Sequence, residues 1–195
     1  NMDETGHGFS RKVIDRAVTL DFGAFFPNKF ESFFDQLEEP VAFTWPMSSK
    51  ASHSKDSESE RQSIQFLNKI NDVLKGTPFE LAFRALNELL LLVNSLNPTS
   101  DKDLQALWDD FLMTKILPRI EGDDDKLRLV NASQDSNLLK ELENVLEDSF
   151  SSIWSADEER KDYFRTVKHD GTEIKIMCRS KEKLRWMRER LEINT

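Results

Sequence analysis

Pro78-Phe79-Glu80-Leu81-Ala82-Phe83-Arg84-Ala85-Leu86-Asn87-Glu88-Leu89-Leu90-Leu91-Leu92-Val93-Asn94-Ser95-Leu96 is the most apolar stretch of the chain, and its spacing is helical. Phe79, Ala82, Phe83, Leu86, Leu90, Val93 and Leu96 recur at intervals of three and four, which places them on one face of a helix. Leu89, Leu91 and Leu92 widen that face. Proline is tolerated in a first helical turn, so the helix is expected over Pro78–Leu96, with Asn97-Pro98 ending it. Burying each Leu or Phe contributes on the order of 1.5–3 kcal/mol, so this one helix can anchor a bundle.

The neighbouring segments repeat the pattern. Arg61–Lys75 carries Ile64, Leu67, Ile70 and Leu74 at helical spacing, and Gly76 stops it. Ser100 caps a helix over Asp101–Leu117, with Asp101 and Asp103 at the positive end of its dipole. Its inward residues are Leu104, Leu107, Trp108, Phe111 and Ile116, and Pro118 stops or kinks it. Ser136–Trp154 reads as a further long helix or helix pair through Leu139, Leu142, Leu146, Phe150 and Trp154. Near the end, Tyr163–Lys168 and Thr172–Cys178 flank His169-Asp170-Gly171, a hairpin signal. Ser180 is read as the cap of a last helix, Lys181–Leu191, which turns Leu184, Met187 and Leu191 inward.

The beginning of the chain has a different character. Phe9-Ser10 leads into a short helix, Arg11–Arg16, and Ala17–Phe22 then alternates Val18, Leu20 and Phe22 with Thr19 and Asp21, a strand period. A lone strand is not stable in water. The chain opens at Asn1 directly in a loop, so a longer protein whose upstream part supplies the sheet is expected. Asn28 is read as the cap of a helix over Lys29–Leu37, Val41–Trp45 as an extended segment between two prolines, and Met47–Glu60 as a flexible, Ser-rich linker. Three segments result: 1–22, 23–60 and 61–195.

Composition narrows the function classes. The formal net charge is −9, which disfavours a broad phosphate-gripping face. Six glycines and six prolines are too few for an all-β sandwich with many tight turns. Cys178 is the single cysteine, which excludes an internal disulfide and fits a reducing, cytoplasmic setting. No apolar run is long enough to span a membrane. The chain has no GxxxxGK[ST] phosphate loop, dinucleotide fingerprint or GxSxG elbow. His7, His53 and His169 are not at metal-ligand spacing with Cys178. Glu121-Gly122-Asp123-Asp124-Asp125 lacks the alternating ligands of a calcium loop and reads as a solvated turn. No metal site is therefore expected within the chain.

Two groups of residues resemble one family. Asn1-Met2-Asp3-Glu4-Thr5 with Phe9-Ser10-Arg11-Lys12-Val13-Ile14-Asp15-Arg16-Ala17 resembles the segment after the fourth core strand of AAA+ NTPases, most closely the McrB-like branch. These are the motor subunits of modification-dependent restriction systems. Trp108–Phe111 with Lys115–Gly122, the helix around Phe83-Arg84 and Asn87-Glu88, and Ser180–Leu191 are similar to that branch's lid. The resemblance implies a mainly α fold: the edge of an α/β AAA+ core with one strand, then a helical lid subdomain, a C-terminal hairpin and a final helix.

In function it implies a subunit that hydrolyses GTP or ATP with Mg, assembles in a ring with further copies, and drives an McrC-like nuclease. DNA is met through regions outside this chain, and no membrane is involved. Asn1 takes the place of the sensor 1 residue that orients water, and Arg16 that of an arginine finger offered to the neighbouring subunit. Arg11 is the rival finger, and Arg16 also reads as a surface partner of Asp15 or Asp21. Arg84 either reaches from the lid as sensor 2 or pairs with Glu88 one turn on. The Walker A loop and Walker B acids would lie upstream, so the chain alone is expected to be inactive. A second class stays open: a stand-alone helical protein-interaction module without a nucleotide role.

Overall fold

The computed structural model describes residues 11–14, 16–19, 57–120, 127, 137–155, 157–163 and 172–193. The expected helix at 29–37, the extended segment at 41–45 and the acidic turn at 121–125 lie outside the described residues. In chain order the elements are α1 (Arg11–Ile14), α2 (Glu58–Leu74), α3 (Phe83–Leu96), α4 (Asp101–Phe111), a π-helical turn (Leu112–Ile116), a 3-10 turn (Leu117–Arg119), α5 (Leu138–Ser149), β1 (Arg160–Lys161), β2 (Lys175–Ile176) and α6 (Arg179–Ile193). The described chain is mainly helical, with one two-stranded antiparallel sheet. No helix among the described residues is long and apolar enough to cross a membrane.

α2 begins three residues earlier than the apolar period indicates. Ser57 Oγ accepts from the Glu60 N–H and Glu60 Oε2 accepts from the Ser57 N–H, a capping box. Glu60 is buried, and its other oxygen accepts from Asn94 Nδ2 at 2.8 Å, which ties the start of α2 to α3. Residues 58–60 thus belong to the helix and not to a linker. Gly76 has φ +74°, the left-handed conformation that lets the chain leave α2 without Cβ strain.

α3 starts at Phe83 and not at Pro78, because side chains claim the backbone donors ahead of it. Thr77 Oγ1 accepts from the Phe79 N–H, and Asn71 Oδ1 accepts from the Leu81 N–H at 2.7 Å. Its buried face is also turned from the expected one. Ala85, Leu89 and Val93 are buried, with Leu86 and Leu92 packed beside them, whereas Phe83 is 84% exposed. An unbroken apolar run from Leu89 to Val93 hides the helical phase, and the neighbours decide which side is buried.

The core lies between α2, α3, α4 and α5. Phe66 stacks on Trp108 with ring centroids 4.5 Å apart and planes 3° apart, and its centroid lies 5.6 Å from that of Phe150. The Trp108 indole N–H donates to Ser63 Oγ at 2.8 Å, so the one polar atom of that ring is satisfied in the interior. Leu107, Phe111, Leu139, Leu142 and Leu146 complete the packing.

Pro118 shapes the end of α4. It has no N–H for the Thr114 carbonyl four residues back, and its ring crowds that carbonyl. The helix widens into the π turn, where the Leu117 N–H donates to Leu112 O, and tightens into the 3-10 turn. Thr114 O accepts instead from the Thr19 N–H at 3.1 Å. Ala17–Thr19 is therefore irregular chain seated on the helical body and not the start of a strand; Leu20–Phe22 lies outside the described residues.

The hairpin is also displaced. Arg160 pairs with Ile176 and Lys161 with Lys175, so the first strand precedes Tyr163, and residues 164–171 lie outside the described set. α5 starts after Asn137, whose side chain accepts from the Lys140 N–H, and gives way to a turn at Phe150.

Candidate functional site

Of the residues singled out from sequence, Asn1 lies outside the described residues. Arg16 follows α1 in a turn closed by its own N–H and that of Ala17 on Val13 O, both at 3.0 Å, and its side chain is exposed. Arg84 lies in the first turn of α3, also exposed. The carboxylate expected as its partner, Glu88, forms an ion pair with Lys115 at 2.7 Å. The Lys115 side chain is only 9% exposed, and its ammonium also donates to Ala17 O at 2.7 Å. One lysine on the π turn thus joins α3 to the segment that carries Arg16. Neither its spacing nor its charge distinguishes Lys115 from a surface lysine in the sequence. Its role depends on the π turn that Pro118 imposes.

A second constellation escaped the sequence reading. Asp109 and Asp110 lie on α4 between Trp108 and Phe111, and both are buried. Arg160 of β1, 1% exposed, meets them: Nε donates to Asp109 Oδ2 at 2.6 Å, Nη2 to Asp110 Oδ1 at 2.6 Å, and Nη1 to Lys161 O at 2.8 Å. Arg179 adds Nη2 to Asp162 Oδ2 at 3.0 Å and Nη1 to Asp110 Oδ1 at 3.4 Å.

Asp109 also caps α6 from another helix. It accepts from the Arg179 N–H at 2.9 Å and the Ser180 N–H at 2.8 Å, the first two residues of α6. Ser180 is therefore inside the helix and not its cap. Two adjacent acids inside an inward-facing helical stretch were the available signal, because buried carboxylates require buried donors.

The electrostatics follow from this geometry. Three carboxylates (Asp109, Asp110, Asp162) face two guanidiniums (Arg160, Arg179). Burial pushes the Asp110 carboxyl above the usual carboxylate range, against the pull of Arg160. The Cys178 thiol, buried beside Asp109 Oδ1 and Ser180 Oγ at 3.5 Å, is pushed up to about 12 by burial and by the Asp109 charge. It is a protonated thiol at neutral pH and no nucleophile. The constellation clamps the hairpin and α6 onto α4.

Cys178 accordingly serves as a reporter of opening. In the native chain it should resist alkylation by iodoacetamide at pH 8 and react only as fast as the fold opens. Rapid native-state labelling would show that the clamp is not closed. Its raised pKa, with that of Tyr163, also raised to about 12, places stability fully below the ordinary values of 9 and 10. That stability is lost as pH rises through the folded values, so a urea midpoint should fall on going from pH 9 towards 12.

A cleft of about 410 Å³ opens between Lys102, Asp157, Glu158, Glu159, Lys175 and Met177, next in sequence to Arg160 and Cys178. Among the described residues, no three His, Cys, Asp or Glu side chains are grouped to hold a metal ion. No curated protein and no solved structure matches the chain. The profile of one family, described as a domain of unknown function (DUF8727), matches residues 36–195, a span that takes in α2 to α6 and leaves out α1. Through that span the chain belongs to the DUF8727 family.

Proposed function

We propose that the chain is the C-terminal part of an McrB-like AAA+ subunit, whose ring hydrolyses GTP or ATP and drives an McrC-like nuclease on DNA. The observation that carries this reading is the setting of Arg16. The sequence around it matches the finger segment of that branch, and its side chain is exposed at the end of a short helix fixed to the helical body through Thr19–Thr114 and Ala17–Lys115. A finger has to be solvent-facing before assembly and held in place after it. Phosphoryl transfer to water is catalysed mainly by positioning and charge neutralisation. A guanidinium offers a fixed charge and a two-pronged fork to phosphate oxygens. Asn1 would orient the water in its own subunit.

The chain carries no GxxxxGK[ST] loop, and this reading assigns the phosphate-binding half to sequence upstream. The purified 195-residue chain should therefore show GTP and ATP turnover at the background rate. Turnover above background in the absence of other subunits overturns the reading. A GxxxxGK[ST] loop encoded upstream in the same reading frame supports it, and an upstream frame without that loop counts against it.

A second reading is favoured by a different observation. The described residues between 57 and 193 share a core with its own aromatic stack and its own ionic clamp, as a stand-alone helical interaction module would. A module of that kind would show no dependence on Arg16 in any nucleotide assay.

A further inference from the structure

We propose that Lys115 is a positioning residue for Arg16, and that the π turn at Leu112–Ile116 is the seat on which the finger segment is held or released. The inference rests on the motor reading above and adds a regulatory contact to it. Pro118 leaves the Thr114 carbonyl without an intrahelical donor, and the Thr19 N–H takes it at 3.1 Å. One residue on, the Lys115 ammonium donates to Ala17 O at 2.7 Å and pairs with Glu88 of α3 at 2.7 Å.

Arg16 is thus held by its own backbone neighbour, Ala17, and not by its side chain, which leaves the guanidinium exposed for a partner. The ammonium has a second attachment on α3, the helix that bears Arg84 one turn before Glu88. A displacement of α3 therefore pulls on the ammonium that holds Ala17. Occupancy on the lid side would reach the finger through one side chain. The clamp on α4 uses other side chains: Asp109 and Asp110 engage β1 and α6.

The test replaces the ammonium and keeps the aliphatic stem. In the 195-residue chain, Lys115→Met should raise hydrogen exchange of the Thr19 amide by roughly ten- to a hundredfold, the factor set by losing a hydrogen bond to a charged donor next to it. Trypsin cleavage after Arg16 should quicken in parallel, while amides of α2 and α5 keep their protection. Lys115→Arg should restore protection. In the complete protein, Lys115→Met should lower kcat and leave KM for the nucleotide unchanged.

Unchanged exchange at Thr19 overturns the proposal. So does exchange that rises without a fall in kcat while Arg16→Ala still abolishes turnover, and in that case the motor reading survives. If neither Arg16→Ala nor Lys115→Met affects turnover, Arg16 is not the finger and the proposal fails with that assignment, while turnover lost in Arg11→Ala keeps the motor reading.

Discussion

Asp109→Ala should destabilise the chain by about 3–5 kcal/mol, the cost of stranding a buried charge by removing its partner. The magnitude follows from what the carboxylate does. Its two oxygens accept from Arg160 Nε, from the Arg179 and Ser180 N–H groups, and lie against the Cys178 thiol. Truncation leaves Arg160, which is 1% exposed, with Asp110 as its remaining carboxylate, and leaves the first turn of α6 uncapped. Asp110 does not compensate: burial already disfavours its charged form, and its Oδ2 is buried without a hydrogen-bond partner.

Asp109→Asn is no remedy, because an amide turns an N–H₂ towards donors. Urea unfolding at neutral pH gives the stability change directly. Pairing the substitution with Arg160→Met should recover part of the loss, since the stranded cation is then gone. A loss below about 1 kcal/mol in the single variant would show that water reaches the site and that the network is only a surface cluster.

The same network shows why the fold was only partly legible in the sequence. Local signals were read well where the governing interaction is local. Ser100 caps α4 by accepting from Asp103, and Leu104, Leu107, Trp108 and Phe111 face inward as their period requires. The Ser57-Glu58-Ser59-Glu60 capping box was also local and stood in the sequence, yet the surrounding Ser-rich composition masked it as a linker. What the chain does not announce locally is pairing across long separations. Asp109 meets Arg160 and Ser180 at separations of 51 and 71 residues, and no spacing rule predicts either. Ser180 looked like a cap because its own residue type is a good one; the actual cap comes from another helix.

The strand reading of Ala17–Phe22 failed in its described part for a comparable reason. Alternation of Val18 with Thr19 is compatible with any extended chain, and Val18 is exposed. The orphan Thr114 carbonyl created by Pro118 decides where Thr19 docks. Legibility of the candidate site is likewise divided. The residue types and order around Arg16 carry the family resemblance, whereas its anchoring through Lys115 exists only in three dimensions.

On the proposed motor reading, Arg16→Ala in the assembled complete protein should reduce nucleotide turnover by roughly 10³-fold or more, the range in which an arginine finger operates, with nucleotide affinity nearly unchanged. The two effects separate because a finger acts on charge that develops in the transition state and contributes little to ground-state binding. Arg16→Lys should not rescue: an ammonium keeps the charge but loses the planar fork. Arg11→Ala is the control for the rival finger. It lies within α1, five residues before Arg16, and should leave most of the activity if Arg16 is the finger.

A finger supplied in trans adds a further signature. Rings mixed from wild-type and Arg16→Ala subunits should lose activity at the sites whose neighbour is altered, so the rate should follow the fraction of intact neighbours and not the fraction of intact nucleotide pockets. Single-turnover hydrolysis across a mixing series, with fluorescent-nucleotide binding measured on the same samples, distinguishes the two dependences. Full turnover both in rings made only of Arg16→Ala subunits and in rings made only of Arg11→Ala subunits removes the finger from this chain. It would then leave the helical body, with its clamp at Asp109 and Arg160, as an interaction module whose partner is sought through its surface and not through a nucleotide.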